Sequence, residues 1–354
     1  MAQLKHHLIQ EMATDLCARE EAKKRRGVFV TALSSVEKFI LAGKEPFHIF
    51  RRIVGNDVTI TSVASDSVEM TYRKNWPIWK LESVFLNSLF LKWARKLHGF
   101  CRCLNTSPRT GYSKILAENS DLEELCESDR HMNDWNRILP WFPNLVVLRV
   151  HAIEFVRILN WTSTLLPFLR KVVLIDYRLN RDVLSVHKYL AVHQNRCPNL
   201  ETIQYNATKL EQMRFPARFR QRNVISSVKH IKITDHVEGC CTPLNFFFLT
   251  AAQKTFPSLE SVEIEARADC QSLEYLNMTQ KGRLVDYFYK AFESLNFGFT
   301  IKITFRECVD LFETPVSDLF QYFTTKGKVY GTPKKFTVRT SFPGKELIYE
   351  VISR

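Results

Sequence analysis

The spacing of apolar residues changes along the chain and divides it into four segments. Residues 1–54 follow the period of about 3.6 residues that is typical of a helix, so we predict a helical N-terminal segment. Residues 55–75 alternate between apolar and polar positions, which predicts a hairpin that forms an N-terminal cap. Residues 76–310 combine both periods. Residues 311–354 predict a C-terminal helix and a capping hairpin with a turn at Pro343-Gly344.

A six-residue unit recurs within residues 76–310. Each copy begins with Leu or Val, and an aliphatic residue and a second apolar residue follow at its fourth and sixth positions. The copies start at Leu81, Leu145, Leu169, Leu200, Val228 and Leu259. The last five starting positions are 24, 31, 28 and 31 residues apart, and three copies share a preceding Pro-Asn or Pro-Ser. A spacing of about 30 residues with an L-x-x-L-x-L core is typical of leucine-rich repeats.

This unit predicts an α/β fold, a leucine-rich-repeat-like solenoid of parallel strands that are connected by return helices. On each strand the fourth and sixth residues of the unit point inward, and the initial Leu closes the turn beneath them. The pairs that we expect to be buried on adjacent parallel strands are Val84/Leu86, Leu148/Val150, Val172/Leu174, Ile203/Tyr205, Ile231/Ile233 and Val262/Ile264. The alternative is an α/β domain of another kind whose strands share the pattern by chance.

The residues between the buried positions predict the surface that a partner protein would contact. Side chains that alternate with buried ones along a strand point to the opposite face of the sheet. These outward positions are Arg149, His151, Lys171, Thr202, Gln204, His230, Lys232, Glu263 and Glu265. The row runs from basic to acidic, which would suit a partner of complementary charge. The alternative is that these residues are polar only because they face solvent.

The chain carries 50 Lys and Arg against 37 Asp and Glu, a formal net charge of +13. Such an excess favours acidic partners or nucleic acid, so a basic nucleic-acid-associated scaffold in the nucleus is an alternative function. Most basic residues are dispersed, and the one continuous run is Lys23, Lys24, Arg25 and Arg26. That run predicts either a nuclear-import signal or a phosphate contact, and its alternative is a solvated helix end.

The common motifs for phosphate, dinucleotide, zinc-protease and hydrolase chemistry do not occur in the sequence. Its 9 Cys lack the spacing of a zinc site, and the acidic cluster at residues 121–129 has the pattern of a solvated helix face. We therefore predict no catalytic, cofactor-binding or metal-binding residues; an enzyme without a recognisable motif is the remaining alternative. With no signal peptide and no membrane-spanning run, we expect an intracellular protein, cytoplasmic or nuclear, with no membrane contact.

One stretch carries a family resemblance. The run Leu139-Pro-Trp-Phe-Pro-Asn-Leu145-Val-Val-Leu-Arg-Val150 resembles the leucine-rich-repeat substrate receptors of F-box ubiquitin ligases, and residues 336–351 resemble the terminal hairpins of nematode F-box-associated families. The resemblance implies an intracellular protein-interaction scaffold that binds a protein on its curved repeat face. It also implies contact between residues 1–54 and a ligase adaptor, although this segment lacks the Leu-Pro start of an F-box.

Overall fold

The computed structural model divides the chain into two compact units. Unit 1 comprises Met1–Val150 and Thr162–Leu169, and unit 2 comprises His151–Trp161 and Arg170–Arg354. The structure describes residues 11, 34–63, 68–72, 75–81, 84–98, 111–126, 135–177, 180–207, 224–237, 247–269, 286, 289–290, 292–309, 316–332 and 335–353. The folds of the two units are described separately below.

From residue 34 onward, the described part of unit 1 has two helices followed by a meander of strands. Its helices are α1 (Ser34–Leu41), α2 (Lys44–Asp57), α3 (Val84–Trp93), α4 (Gly111–Ala117) and α5 (Trp135–Ile138), and its strands are β1 (Val58–Val63), β2 (Val68–Tyr72), β3 (Asn75–Leu81), β4 (Lys96–His98), β5 (Glu124–Cys126) and β6 (Val147–His151). β1 and β2 form the antiparallel pair that their alternation predicted, and β3 also pairs with β2 in the antiparallel direction. β4 lies parallel to β1, β5 to β4 and β6 to β5.

The described part of unit 2 contains four helices and eight strands. Its helices are α6 (Ala152–Trp161), α7 (Asn180–His193), α8 (Phe247–Thr255) and α9 (Val316–Thr324), and its strands are β7 (Lys171–Tyr177), β8 (Thr202–Ala207), β9 (His230–Val237), β10 (Ser261–Asp269), β11 (Thr300–Val309), β12 (Lys328–Thr332), β13 (Lys335–Phe342) and β14 (Lys345–Ser353). Strands β7 to β11 pair in parallel with their neighbours in sequence order. The chain is therefore an α/β protein with mostly parallel strands, as the sequence predicted.

The predicted core positions are buried in five of the six copies of the unit. Both members of the pairs Leu148/Val150, Val172/Leu174, Ile203/Tyr205, Ile231/Ile233 and Val262/Ile264 are at most 2% exposed. The initial residues Leu145, Leu169, Leu200, Val228 and Leu259 are buried too. Each fully buried aliphatic side chain of this kind contributes about 1.5–3 kcal/mol through the apolar area it removes from water.

The prediction for the copy at Leu81 is wrong. Val84 and Leu86 lie on helix α3 rather than on a strand, and the Val84 side chain is 68% exposed. Leu86, Phe90 and Trp93 share one face of that helix at the spacing i, i+4 and i+7, and all three are buried. The helical period therefore outweighs the local resemblance to the repeat. The interval between Leu81 and Leu145 holds two short strands, β4 and β5.

A backbone hydrogen-bond pattern recurs at the turn before the strands. The amides of Leu145, Leu169, Leu200 and Leu259 each donate to the carbonyl three residues earlier. In unit 2, the carbonyls of Arg170, Glu201 and Lys229 each accept two successive amides from the start of the next strand. The carbonyls of Arg95 and Glu123 accept two amides each in the same way in unit 1. The same main-chain hydrogen bonds therefore recur at the start of several strands in each unit.

The C-terminal hairpin is present but is also part of the sheet of unit 2. β13 and β14 are antiparallel, and Gly344 in the turn between them has a φ of 68°, which favours glycine. β14 also pairs in parallel with β11, so the hairpin continues the row of parallel strands. Gln204, Lys232, Glu263, Lys302 and Glu346 therefore lie side by side on β8, β9, β10, β11 and β14.

Candidate interaction surface

Seven of the nine predicted contact residues share one face of the unit 2 sheet. The open face, as we name it, comprises Lys171, Thr202, Gln204, His230, Lys232, Glu263 and Glu265. All seven side chains are partly exposed, whereas the residues that alternate with them on β8, β9 and β10 are buried. The period of two along each strand produces this division, because successive side chains point to opposite faces.

Lys232 is the centre of an ion-pair network on the open face. Its Nζ lies 3.2 Å from Glu263 Oε2 and 3.1 Å from Glu265 Oε1, both on the neighbouring strand β10. Partial burial acts to lower the pKa of Lys232, but the hydrogen bonds that Lys232 donates to Glu265 and Glu263, together with the charges of these carboxylates, outweigh it and raise the pKa above its usual value. Lys232 is therefore charged and held in place at neutral pH.

Two other polar residues of the open face form side-chain hydrogen bonds. The Gln204 side-chain amide donates to Asn206 Oδ1 at 3.0 Å, along the same strand. The His230 Nδ1 and the Ser261 hydroxyl share a hydrogen bond of 2.8 Å between β9 and β10. These bonds fix side chains that an isolated strand would leave free to rotate, so the open face presents a defined polar surface.

The ion pairs extend onto strands that our list of contact residues did not include. Lys302 on β11 lies 3.7 Å from Glu346 on β14, and Arg306 lies 2.6 Å from Glu350 on the same two strands. No copy of the six-residue unit marks β11 or β14. The charged residues of these two strands were therefore missed, and the pairing of β14 with β11 depends on a chain reversal through β12 and β13.

The expected gradient of charge is replaced by alternation. The predicted row places bases first and acids last, but across β9, β10, β11 and β14 a Lys, a Glu, a Lys and a Glu follow one another at the register of Lys232. Opposite charges on adjacent strands attract, and like charges directly opposite each other repel. The open face is therefore nearly neutral over these strands and does not carry a single strong field.

Unit 1 holds the predicted residue Arg149 in a separate cluster. Arg149 Nε donates to Glu124 Oε1 at 2.6 Å, and His98 Nε2 lies 3.2 Å from the same oxygen. The hydrogen bond from His98 has the largest effect on the pKa of Glu124 and lowers it. Partial burial opposes this effect, whereas the charge and the hydrogen bond of Arg149 add to it. The pKa of Glu124 therefore falls to about 2. Glu124 lies on β5, so the prediction of a helix face for this part of the acidic cluster is wrong.

His151 was predicted to face a partner, and this prediction is wrong. The side chain is only 6% exposed. His151 is the last residue of β6, and α6 begins at Ala152, so the alternation of the strand ends there. The basic run of Lys23, Lys24, Arg25 and Arg26 lies outside the described residues.

In the part of the chain that the structure describes, no group of three or more His, Cys, Asp or Glu side chains is arranged to hold a metal ion. None of the described helices has the length and apolar character that crossing a membrane requires.

No protein-family model matches the chain, and comparisons with curated proteins and with solved structures found no match. What the protein does must therefore be inferred from its own geometry.

Proposed function

We propose that this chain is a non-enzymatic protein-interaction scaffold built as a leucine-rich-repeat-like solenoid. The observation that supports the solenoid is the bifurcated hydrogen bond at the strand starts, which recurs from Arg170 through Glu201 to Lys229. Each such bond joins one strand–helix unit only to the next one. Nearest-neighbour contacts of this kind are the defining property of repeat proteins.

The order of the strands supports the same proposal. Strands β7 to β11 are neighbours in space in the order in which they occur along the chain. A doubly wound sheet reverses its strand order at a switch point and binds ligands in the crevice there. A solenoid instead leaves one sheet face open, and repeat proteins use that extended surface to bind macromolecules. The partly exposed polar residues of the open face match this arrangement.

The kind of binding that the open face favours is specific rather than strongly electrostatic. Its cation Lys232 is paired with Glu263 and Glu265 on the adjacent strand, so little long-range attraction remains there to accelerate association. Fixed polar side chains such as Gln204 and His230 can form directional hydrogen bonds with a partner. The partner that fits is a folded protein surface with matching donors and acceptors. If the chain is a substrate receptor, as the F-box resemblance suggests, the partner bound on the open face would be the substrate of a ubiquitin ligase.

Affinity capture with two matched variants tests the proposal. Gln204→Trp places a large side chain in the middle of the open face, and Lys254→Trp places the same side chain on an exposed position of α8. We expect the partner captured by the unmodified chain to be lost with Gln204→Trp and retained with Lys254→Trp. A ligase adaptor among the retained proteins would support the substrate-receptor form.

If both variants lose the partner, or if both retain it, the open face is not the binding surface. Circular dichroism and thermal unfolding of each variant establish that both chains are folded. Capture repeated at low and high salt separates a protein partner from nucleic acid, because binding to phosphates weakens steeply as salt rises.

A further inference from the structure

Helices α6 and α7 each carry a stripe of exposed or partly exposed residues with the same chemical order. On α6 the stripe is Ile153, Arg157 and Trp161, and on α7 it is Leu184, Lys188 and Val192. In both helices the residues are spaced i, i+4 and i+8, which places them on one face. Each stripe therefore reads apolar, cationic, apolar, and we name the two together the helix face.

The apolar members of the helix face are unusually accessible for their size. Trp161 is 64% exposed and Val192 is 62% exposed, and Ile153 and Leu184 are also among the exposed large hydrophobic residues. Single exposed apolar residues are common on protein surfaces, but contiguous groups mark interaction sites. α6 and α7 pack against each other, so these four side chains belong to neighbouring helices.

The charge of the helix face has one sign. Across Ala152–Trp161 and residues 183–196, Glu154 is the only carboxylate in the sequence, and its side chain is fully buried against Arg157. The same segments contain Arg157, Lys188 and Arg196. Among the described side chains of α6, α7 and the turn that follows α7, bases therefore outnumber acids. On the open face, by contrast, the base Lys232 is paired with Glu263 and Glu265.

Several contacts hold these side chains in position before a partner arrives. The Arg157 guanidinium lies 5.6 Å from the centre of the Trp161 ring, a cation–π distance. Arg196, which follows α7, donates to the carbonyl of Ile158 on α6 at 3.5 Å. This bond links the two helices near the end where Trp161 and Val192 lie. Pre-positioned anchors reduce the entropy that binding costs.

We propose that the helix face is a second docking surface, whose partner is an acidic amphipathic helix of another protein. Apolar side chains of such a helix, spaced by about one turn, would contact Ile153, Trp161, Leu184 and Val192. Glu or Asp residues at the flanks of its apolar face would meet Lys188 and the edge of Arg157. Trp and Arg are the residue types that most often dominate binding energy at interfaces.

Two synthetic peptides provide the test. Both are amphipathic helices with the same Leu and Trp positions, but one carries Glu on its flanks and the other carries Lys. Fluorescence anisotropy with the full chain should show binding of the Glu peptide and at least about tenfold weaker binding of the Lys peptide. Trp161→Ala should weaken binding of the Glu peptide by about tenfold or more. Lys188→Glu should weaken the Glu peptide and strengthen the Lys peptide.

Tyr330→Ala is the matched control, because Tyr330 is an aromatic residue of unit 2 that is 53% exposed on strand β12. This variant should bind the Glu peptide as the unmodified chain does. Equal binding of both peptides, binding of neither, or an unchanged affinity after Trp161→Ala would overturn the proposal.

Two other occupants give distinct results that also overturn it. Binding to vesicles with phosphatidylserine, lost with Trp161→Ala and without selective binding of the Glu peptide, would assign the surface to membranes. A concentration-dependent dimer that Trp161→Ala dissociates would assign it to a second copy of the chain. Gln204→Trp should leave peptide binding intact, so failure of the open face and failure of the helix face are distinguishable.

Discussion

The short strands of unit 1 and the long strands of unit 2 differ in how much of the core each one supplies. β4 and β5 are three residues long, and each buries its central residue, Leu97 or Leu125. β8, β9 and β10 are six to nine residues long and bury at least two side chains each. A repeat pattern with two inward residues can therefore identify only the long strands. The repeated sequence unit therefore marks the strands that are long enough to bury two side chains. Parallel pairing alone does not produce it.

The polar groups buried in the two units sharpen this contrast, and a change of pH should reveal it through His187. On α7 of unit 2, His187 shares a hydrogen bond of 2.5 Å with the Tyr205 hydroxyl and contacts the Phe256 ring. Burial lowers the pKa of His187 from 6.5 to about 3. Because the unfolded chain binds the proton first, stability should fall as the pH drops from about 6.5 toward 3. The loss at pH 4.5 should be about 2–3 kcal/mol.

Hydrogen exchange at pH 6.5 and 4.5, corrected for intrinsic rates, should therefore show unit 2 losing protection before unit 1. The pKa of Glu124 in unit 1 is lowered from 4.5 to about 2, so the stability contributed by its ion pairs is present above pH 4.5 and is lost between about 4.5 and 2. The double variant His187→Phe with Tyr205→Phe removes the titration and should abolish the difference between the two pH values in unit 2. Equal losses in both units before and after this change would contradict the assignment.

The contrast between strand lengths also explains what the sequence could predict. The parallel strands from β6 to β10 follow from inward residues such as Ile231 and Ile233, whose burial is dictated by alternation and hydrophobicity. Helix α3 was assigned to a strand because Val84 and Leu86 satisfy the repeat locally, and the helical period becomes visible only when Phe90 and Trp93 are included. The ion pairs of the open face could not be predicted, since they depend on register between residues about 30 positions apart.

A pair of truncations at equivalent positions of the repeat unit measures this distinction directly. Leu148→Ala should lower the free energy of unfolding by about 2–5 kcal/mol, because Leu148 is fully buried on β6. Val84→Ala, at the same position of the copy that failed, should change it by less than about 0.5 kcal/mol, because Val84 is exposed on α3. Urea unfolding monitored by circular dichroism checks both values. Similar costs for the two variants would restore a strand-like role for Val84.

A smaller effect is expected for Asn119, a buried polar residue of unit 1. The Asn119 amide donates to the carbonyls of Leu91 and Ala94 at 2.7 and 2.9 Å, and its Oδ1 accepts the Asp121 amide. Leu91 and Ala94 close the C-terminal end of α3, whose carbonyls lack helical partners. Asn119→Ala should cost about 1–3 kcal/mol, because it leaves buried backbone groups unsatisfied. Unlike the effect of His187, this cost should not change between pH 4.5 and 6.5.

Asn144 provides the control for that variant. Its amide donates to the Ser120 carbonyl at 2.8 Å, but the bond is exposed. Water can replace the Asn144 side chain, so Asn144→Ala should cost less than about 1 kcal/mol. Thermal unfolding of the two variants at one pH gives the comparison. If Asn144→Ala proved the more destabilising change, the turn before β6 and not the end of α3 would be the critical connection in unit 1.

A small effect is also expected for the charges of the open face. Lys232 pairs with Glu263 and Glu265, and these side chains are 28%, 39% and 23% exposed. Solvent screens such pairs, so Lys232→Met should cost less than about 1 kcal/mol. Arg149→Met in unit 1 should cost more, about 1–3 kcal/mol, because Glu124 is only 15% exposed and would lose a charged partner. Urea unfolding at low and high salt separates the two cases, since added salt should reduce the cost of Lys232→Met more than that of Arg149→Met. An equal or larger cost for Lys232→Met would mean that the open face stabilises unit 2, which would leave its polar residues less available to a partner.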